Sequence, residues 1–537
     1  MYIPFCICLA REVKLPAITI PGQGTIVGVE VSKSRIQKIT AYYGIPYAKP
    51  PIGNLRFAPP DTEPLPEVTN NTGYLPACLQ SEEDYKDSDK PFLQLISDFK
   101  FGNFSEDCLY LNVFVPVGSG PTPGFATIIW FHPGSFVVGT PAIWNPHTLV
   151  YRQRVIVVTV AWRLNIFGFL TTMDGVAPGN YGLMDQQAAM LWVKNNIELF
   201  GGNPNNICLM GYGAGATSVG LHMINPRSKG LFNKAIAMSG DYLSPSVVKK
   251  PEEDKELLDF LAKELSCERR PTSQLIQCLR RPDGNELVKS VAKYSWRPLL
   301  DASVSNFSFL PEFPINYFES GDYYKVPFLT GYTHMEKILQ VNATVESRDE
   351  LKDLLTKLIY NDIPQNNDTE SSCVYNSDHL IDAVIFDMKP STLSAVSQIP
   401  EWVTVPHLFD LIYVWGVPYW ENTGFEWDIR DKRISDTIMS LWINFAKSSN
   451  PTENIIYPIK WDPFTKDDPG ILIIDGTFNM SNSQKLNYKA FEFWNNYYPK
   501  VKDIATKCCE SGDARSVIFL QSYCSFLFVS LLLMYNV

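Results

Sequence analysis

Hydrophobic positions along the 537-residue chain fall mainly in short unbroken runs, separated by amphipathic stretches and turn clusters. Apolar runs of about four to eight residues suit strands buried on both faces, as in a parallel sheet covered by helices. Residues 126–132 (ATIIWFH), 154–163 (RVIVVTVAWR), 206–212 (NICLMGY), 233–239 (NKAIAMS), 326–333 and 470–476 (GILIIDG) are predicted strands by this criterion. Residues 183–200 (LMDQQAAMLWVKNNIELF) predict a helix with Met184, Ala188, Leu191 and Val193 near its apolar side, stopped by Gly201 and Gly202. After the 206–212 strand, Gly213-Ala214-Gly215 leads into a second helix from residue 216 to about 223. The alternation predicts an α/β fold: a large, mostly parallel, twisted sheet with helices on both faces.

Composition adds limits to this picture. The chain is 45% hydrophobic and 19% charged, which supports a large packed core. Its 46 Lys and Arg residues are scattered and outnumbered by 57 Asp and Glu, for a net charge of −11, so nucleic acid is excluded as a partner. There is no internal repeat or low-complexity linker. Asn70, Asn103, Asn306, Asn342, Asn367 and Asn479 each begin an Asn-x-Ser/Thr triplet, and together with 11 cysteines they point to the secretory route. Residues 517–535 are apolar and uncharged, long enough to cross about 30 Å of hydrocarbon as a helix. Ser511, Gly512 and Ala514 precede them, so a removed glycolipid-anchor signal competes with a retained transmembrane span, and a buried C-terminal helix is a third reading. Residues 1–15 fit a truncated signal peptide, and 501–516 a short stalk.

Longer motifs carry a resemblance. Gly44-Ile-Pro-Tyr-Ala-Lys-Pro-Pro-Ile-Gly-Asn-Leu-Arg56-Phe57, Ser105-Glu-Asp-Cys108-Leu-Tyr-Leu-Asn112 and Asn180-Tyr-Gly-Leu-Met-Asp-Gln186 are similar to conserved segments of the type-B carboxylesterase and cholinesterase family. Pro400-Glu-Trp402, His407 and Tyr413-Val-Trp-Gly416 resemble its histidine region. The likeness runs in consistent order from about residue 16 to about residue 500, and it implies the α/β-hydrolase fold over that span. It also implies disulfides Cys78–Cys108 and Cys267–Cys278, and a structural ion pair between Arg56 and Glu106. Cys208, in an apolar strand, reads as a core residue, while Cys373, Cys508 and Cys509 have no assigned partner.

Ester hydrolysis on this scaffold needs a serine on the strand-to-helix elbow, a histidine to take its proton, a carboxylate to orient the histidine, and N–H groups facing the oxyanion. The resemblance places His407 at the histidine and Glu336 at the carboxylate, with Gly134, Ser135 and Ala214 as the oxyanion donors. At the nucleophile's position in Gly-x-Ser-x-Gly stands Gly213. The family's His-Gly-Gly-Gly-Phe run is altered to His132-Pro133-Gly134-Ser135-Phe136. As substitute nucleophiles, Ser218 should point away on the helix, Ser239 reads as a turn residue, and Ser135 belongs to the oxyanion loop. No metal-ligand spacing and no cofactor motif is present, so neither is expected. The segment between Cys78 and Cys108 has no tryptophan, which argues against choline esters as substrates.

The expected function is therefore that of a non-catalytic cell-surface or secreted relative, similar in kind to the neuroligin, gliotactin and neurotactin adhesion proteins. Its expected partner is another cell-surface or extracellular protein, with homodimerisation through C-terminal helices such as 484–494 and membrane attachment through the tail. Two alternatives are a carrier that keeps the acyl gorge for a lipid or small apolar ligand, and a weak ester hydrolase with a substitute nucleophile.

Overall fold

A computed structural model describes residues 16–32, 37–88, 90–93, 102–240, 242–243, 247–305, 308–334, 336, 381–392, 405–421, 423, 426–453, 455, 459–465 and 470–481. Nearly all of these belong to one compact unit. Residues 1–15, Asn306, Asn342, Asn367, Cys373, residues 400–402, residues 484–494, Cys508, Cys509 and residues 517–535 lie outside them.

An 11-stranded sheet runs through this unit. Its strands in chain order are β1 (Val29–Ser32), β2 (Lys38–Pro46), β3 (Tyr110–Pro116), β4 (Phe125–Phe131), β5 (Ile156–Val160), β6 (Gly202–Tyr212), β7 (Lys234–Met238), β8 (Phe328–Thr333), β9 (Ile381–Phe386), β10 (Leu472–Ile474) and β11 (Asn479–Met480). The spatial order is β11-β10-β9-β8-β7-β6-β4-β5-β3-β2-β1. From β10 to β5 every pairing is parallel, whereas β11, β3, β2 and β1 pair antiparallel at the two edges. The six expected strands are all present, most of them shorter than their apolar runs.

Successive side chains point to opposite faces of a strand. In β4, Ile129 and Phe131 enter one core and Ile128 and Trp130 the other, so both faces are covered and the run reads as continuously apolar. Helices α1 (Tyr181–Asn196) and α2 (Ala214–Ile224) contribute to the first core, and α3 (Asp410–Val414) and α4 (Ile429–Ser448) to the second. The second core is rich in indoles, with Trp130 packed edge-on against Trp144 and Trp415.

The expected apolar side of the 183–200 helix needs correction. Helix α1 begins at Tyr181 and buries Leu183, Asp185, Gln186, Ala189, Met190, Trp192 and Val193, while Leu191 is 46% exposed and Met184 and Ala188 are only half-buried. The reason is polar: Asp185 accepts two hydrogen bonds of 2.7 Å from the Arg163 guanidinium, so a buried ion pair occupies the inward side. Such a pair is tolerated where its hydrogen bonds are satisfied, and polarity alone then misreports which face is inside.

Disulfides join Cys78 to Cys108 and Cys267 to Cys278. Arg56 and Glu106 form a two-pronged ion pair, and Arg56 also donates to the carbonyls of Leu279 and Pro282. Cys208 is buried in β6 with its thiol pushed up to about 12 by burial, which removes thiolate reactivity. Asn70, Asn103 and Asn479 are exposed.

Candidate functional site

Strand β6 ends at Tyr212 and α2 begins at Ala214, so a single residue turns the chain. That residue, Gly213, has φ 52° and ψ −118°, a conformation costly for any residue with a Cβ. Its neighbours have no room to vary: a Cβ on Gly211 would lie 2.3 Å from the Gly215 carbonyl oxygen, and one on Gly215 would lie 2.0 Å from the Phe131 carbonyl oxygen. A Cβ on Gly213, by contrast, would meet nothing closer than 3.7 Å, and the atoms it would meet are His407 Nε2 and Pro133 Cβ. The elbow thus has space for a side chain pointing at the histidine, and carries none.

His407 follows the 405–406 segment leading towards α3, and its Nδ1 is 2.5 Å from Glu336 Oε2. Glu336 lies just past β8, with Oε1 accepting the Thr333 N–H at 2.7 Å. An ionised carboxylate can only accept, so Nδ1 carries a proton, and Nε2 is the ring nitrogen that faces Gly213. Burial alone would raise the Glu336 carboxyl; the hydrogen bond and charge of His407 oppose it, helped by the Thr333 N–H, and carry it below the usual range. The sequence-expected residues Gly213, Glu336 and His407 are therefore assembled in one place.

The first turn of α2 passes close to the end of β4, where a Cβ on Gly215 would meet the Phe131 and His132 carbonyl oxygens. Gly134, Ser135 and Phe136 all have positive φ, and the Gly134 carbonyl accepts from the N–H groups of Val137 and Val138. The N–H groups of Gly134, Ser135 and Ala214 donate to no backbone carbonyl among the described residues. His132, at the start of the loop, is buried, stacked on Trp162, and hydrogen-bonded through Nδ1 to the Pro133 carbonyl. Burial lowers it to about 4, so it is neutral near pH 7.

Among the described residues, Ser218 alone of the three alternative serines has its hydroxyl hydrogen-bonded. Ser218 donates to the Ala214 carbonyl at 2.9 Å and accepts from Gln186 at 3.1 Å, behind the elbow. Ser239 has φ 50° at the end of β7, and its buried hydroxyl makes no hydrogen bond among the described residues. Ser135 is exposed on the oxyanion loop.

Residue-by-residue reading of the sequence misses two members of the site. Tyr212 packs its ring edge-on against His407, with centroids 4.8 Å apart, and its hydroxyl accepts the Leu408 N–H at 2.7 Å. Asp410 is buried at the start of α3, and burial together with the nearby Glu336 charge raises its carboxyl to about 7. The only sequence signal was position: Tyr212 immediately precedes the elbow glycine, and Asp410 comes three residues after the histidine.

Comparison with known proteins agrees with this geometry. Residues 14–385 and 383–494 match the carboxylesterase family. Cholinesterase of Mus musculus is 32% identical, the match covering 87% of this chain and 84% of the relative. Acetylcholinesterase of Bungarus fasciatus is 29% identical over 86% of this chain and 83% of its own length. A medium-chain fatty acyl-CoA hydrolase precursor of Anas platyrhynchos is 28% identical, over 88% and 90%. With an elbow, a histidine–carboxylate pair and an oxyanion loop on an 11-stranded sheet, and a family match over most of its length, the chain belongs to the carboxylesterase family.

Proposed function

We propose that this protein is a non-catalytic member of its family, exported to the cell surface or beyond, that binds another extracellular protein. The observation that carries the first half is Gly213: His407 and Glu336 are in working geometry, yet the atom that should attack the ester is missing. Serine loss in the subtilisin example costs about 2 × 10⁶ in rate and leaves roughly 10³–10⁴ over water, too little for turnover that competes with an intact relative. The names of the relatives carry ester and thioester hydrolysis, and this chain lacks the group on which that chemistry begins. Export is supported by the two disulfides and by the exposed sequon asparagines Asn70, Asn103 and Asn479.

Fold does not determine function, so partner binding rests on analogy with adhesion proteins that kept this scaffold. The test has two parts. Purified protein should neither hydrolyse p-nitrophenyl esters nor be labelled by a fluorophosphonate, and labelling of the native chain would overturn the non-catalytic reading. Immobilised protein should capture a specific cell-surface protein in the micromolar range or tighter. A protein that captures none from intact cells would defeat the binding half alone.

A further inference from the structure

Basic residues are scattered along the chain, yet the fold gathers four of them at the end of the sheet opposite the elbow. The elbow follows the last residue of β6; about 20 Å back along that strand, its first residues meet Lys194, Lys234 and Lys447. Asn206 is the link: its Oδ1 accepts from Lys234 Nζ at 2.5 Å, and its Nδ2 donates to the Lys447 carbonyl at 3.0 Å. Lys447 Nζ donates to the Gln153 carbonyl at 2.6 Å, next to Arg154, whose guanidinium donates to the carbonyls of Val117 and Ser119. Lys194 Nζ donates to the Pro204 carbonyl and to Asn205 Oδ1. Each of these bonds ends on a neutral oxygen, whereas the buried cations Arg56, Arg163 and Lys249 are answered by Glu106, Asp185 and Asp254. Glu198 and Glu453, the acids nearest in sequence to Lys194 and Lys447, form no ion pair with them among the described residues. Burial lowers Lys234 and Lys447, and the Arg154 charge lowers Lys447 further, so like charges stand together here. Lysines in the last turns of α1 and α4 suit the helix dipole, which accounts for Lys194 and Lys447. It does not account for Lys234, which opens a strand, or for the Arg154 guanidinium, which turns to the 117–119 segment.

We infer that this end of the sheet is an interaction surface for a sulfated polysaccharide, with sulfates contacting Arg154, Lys194 and Lys447 above the buried charge of Lys234. Arg154 is exposed and the two contacting lysines are half-buried, while Lys234 is 8% exposed and adds field more than contact. Donors are left over: an ammonium has three and a guanidinium five, of which the carbonyls and Asn205 use only one or two on each. The cations sit on separate segments, so a chain that carries sulfates at intervals suits them better than one small anion. Exposed Asn195 and Asn205 beside Lys194 offer amides to sugar hydroxyls. The ring nearest Arg154 is Phe125, which is buried beneath the guanidinium and presents no face on which a nucleic-acid base could stack. With a net charge of −11, the rest of the molecule repels a polyanion and confines it to this end.

This inference goes beyond the protein-binding reading and does not depend on residue 213. The test titrates the full chain into a fluorescein-labelled heparin octasaccharide near neutral pH, read by fluorescence anisotropy at salt concentrations from about 50 to about 300 mM. Expected is saturation in the micromolar range at the lowest salt. Three contacts at roughly 0.7 each should make affinity fall by about two decades per decade of salt. Arg154→Gln combined with Lys447→Gln should weaken binding about tenfold or more with circular dichroism unchanged. Lys86→Gln, which removes a cation paired with Glu82, should leave binding as it is, and a desulfated octasaccharide should bind at least about tenfold more weakly. No saturation by about 100 μM protein at the lowest salt overturns the inference, as does binding that the double variant leaves unchanged. Equal affinity for polyglutamate of matched charge also overturns it and identifies a surface for acidic peptides. Because the sugar is titrated free of other proteins, failure to capture a cell-surface protein would sink the protein-binding reading and leave this surface standing.

Discussion

Two histidines on opposite sides of the elbow make an instructive pair. His407 stands in front of Gly213, 34% exposed at its side chain and hydrogen-bonded to a carboxylate. His222 lies behind it in α2, fully buried, with Nδ1 2.9 Å from Ser228 Oγ and Nε2 3.1 Å from Gln186 Oε1. Gln186 in turn donates to Ser218, which donates to the Ala214 carbonyl. Both regions therefore hold a serine or the place for one, a histidine and a polar third member, but their electrostatics are opposite. Burial with only neutral partners lowers His222 to about 3 and makes it useless as a base near neutral pH. A buried serine–histidine network of that kind ties α2 to α1 and to the turn that follows α2, whereas the half-exposed, carboxylate-backed histidine is built for proton transfer. Residue types alone do not distinguish them; solvent access and the charge of the third partner do.

The largest effect expected from breaking this contrast is chemical. Gly213→Ser should place a hydroxyl against His407 and raise p-nitrophenyl butyrate hydrolysis by about 10³-fold or more over the native chain, with fluorophosphonate labelling at residue 213. A properly folded but silent variant would mean that the Pro133 and Ser135 changes have deformed the oxyanion loop. In that background His407→Ala should return turnover to the native level, while His222→Phe should leave fluorophosphonate labelling of the surviving folded protein in place.

Stability should show the reverse order. Arg163→Ala leaves Asp185 buried without its partner and should cost about 3–5 kcal/mol in chemical denaturation. His222→Ala removes a buried ring and leaves Gln186 Oε1 without its partner, for about 2–4 kcal/mol. His407→Ala, at a half-exposed position, should cost about 1 kcal/mol or less. Equal losses for the two histidines would show that the distinction drawn from burial is wrong.

Smaller effects are expected in the pH dependence. Asp410 is raised to about 7 in the folded chain from an ordinary value near 3.8. The folded state thus binds the proton more tightly, and the native chain loses stability as pH rises between those values. Asp410→Asn should be spared that loss and gain roughly 1–3 kcal/mol relative to the native chain between pH 4 and 7. For Glu336 the sign is opposite: its lowered carboxyl contributes stability above the ordinary carboxylate range, lost as pH falls through the folded value. His222 is lowered as well, so stability falls as pH drops from about 6.5 toward 3, where the unfolded chain takes the proton first. A stability profile for Asp410→Asn parallel to that of the native chain would remove Asp410 from the account.

Much of the site was legible because its parts are local. The elbow is one strand, one turn and one helix, and Gly211 and Gly215 are demanded because a Cβ at either would fall within 2.3 or 2.0 Å of a carbonyl oxygen. The parallel core strands announced themselves because both of their faces are buried. The antiparallel edge strands β1, β2 and β3 did not, nor did β9, since their runs mix polar residues such as Glu30, Thr40 and Asn112 with apolar ones. Helix α1 was found but turned to the wrong side, because the Arg163–Asp185 pair hides charge in the interior.

Sequence by itself determined the alternating α/β order, the elbow, the absence of a hydroxyl at residue 213 and the family resemblance, since each depends on neighbouring residues or on a fixed spacing. Only the tertiary structure decided that His407 faces Gly213 at the reach of a missing side chain, that Tyr212 packs against it, and that His222 is inert. Those facts depend on distances between segments far apart in the chain, and on how much water each group keeps, and neither is written in any single stretch of residues.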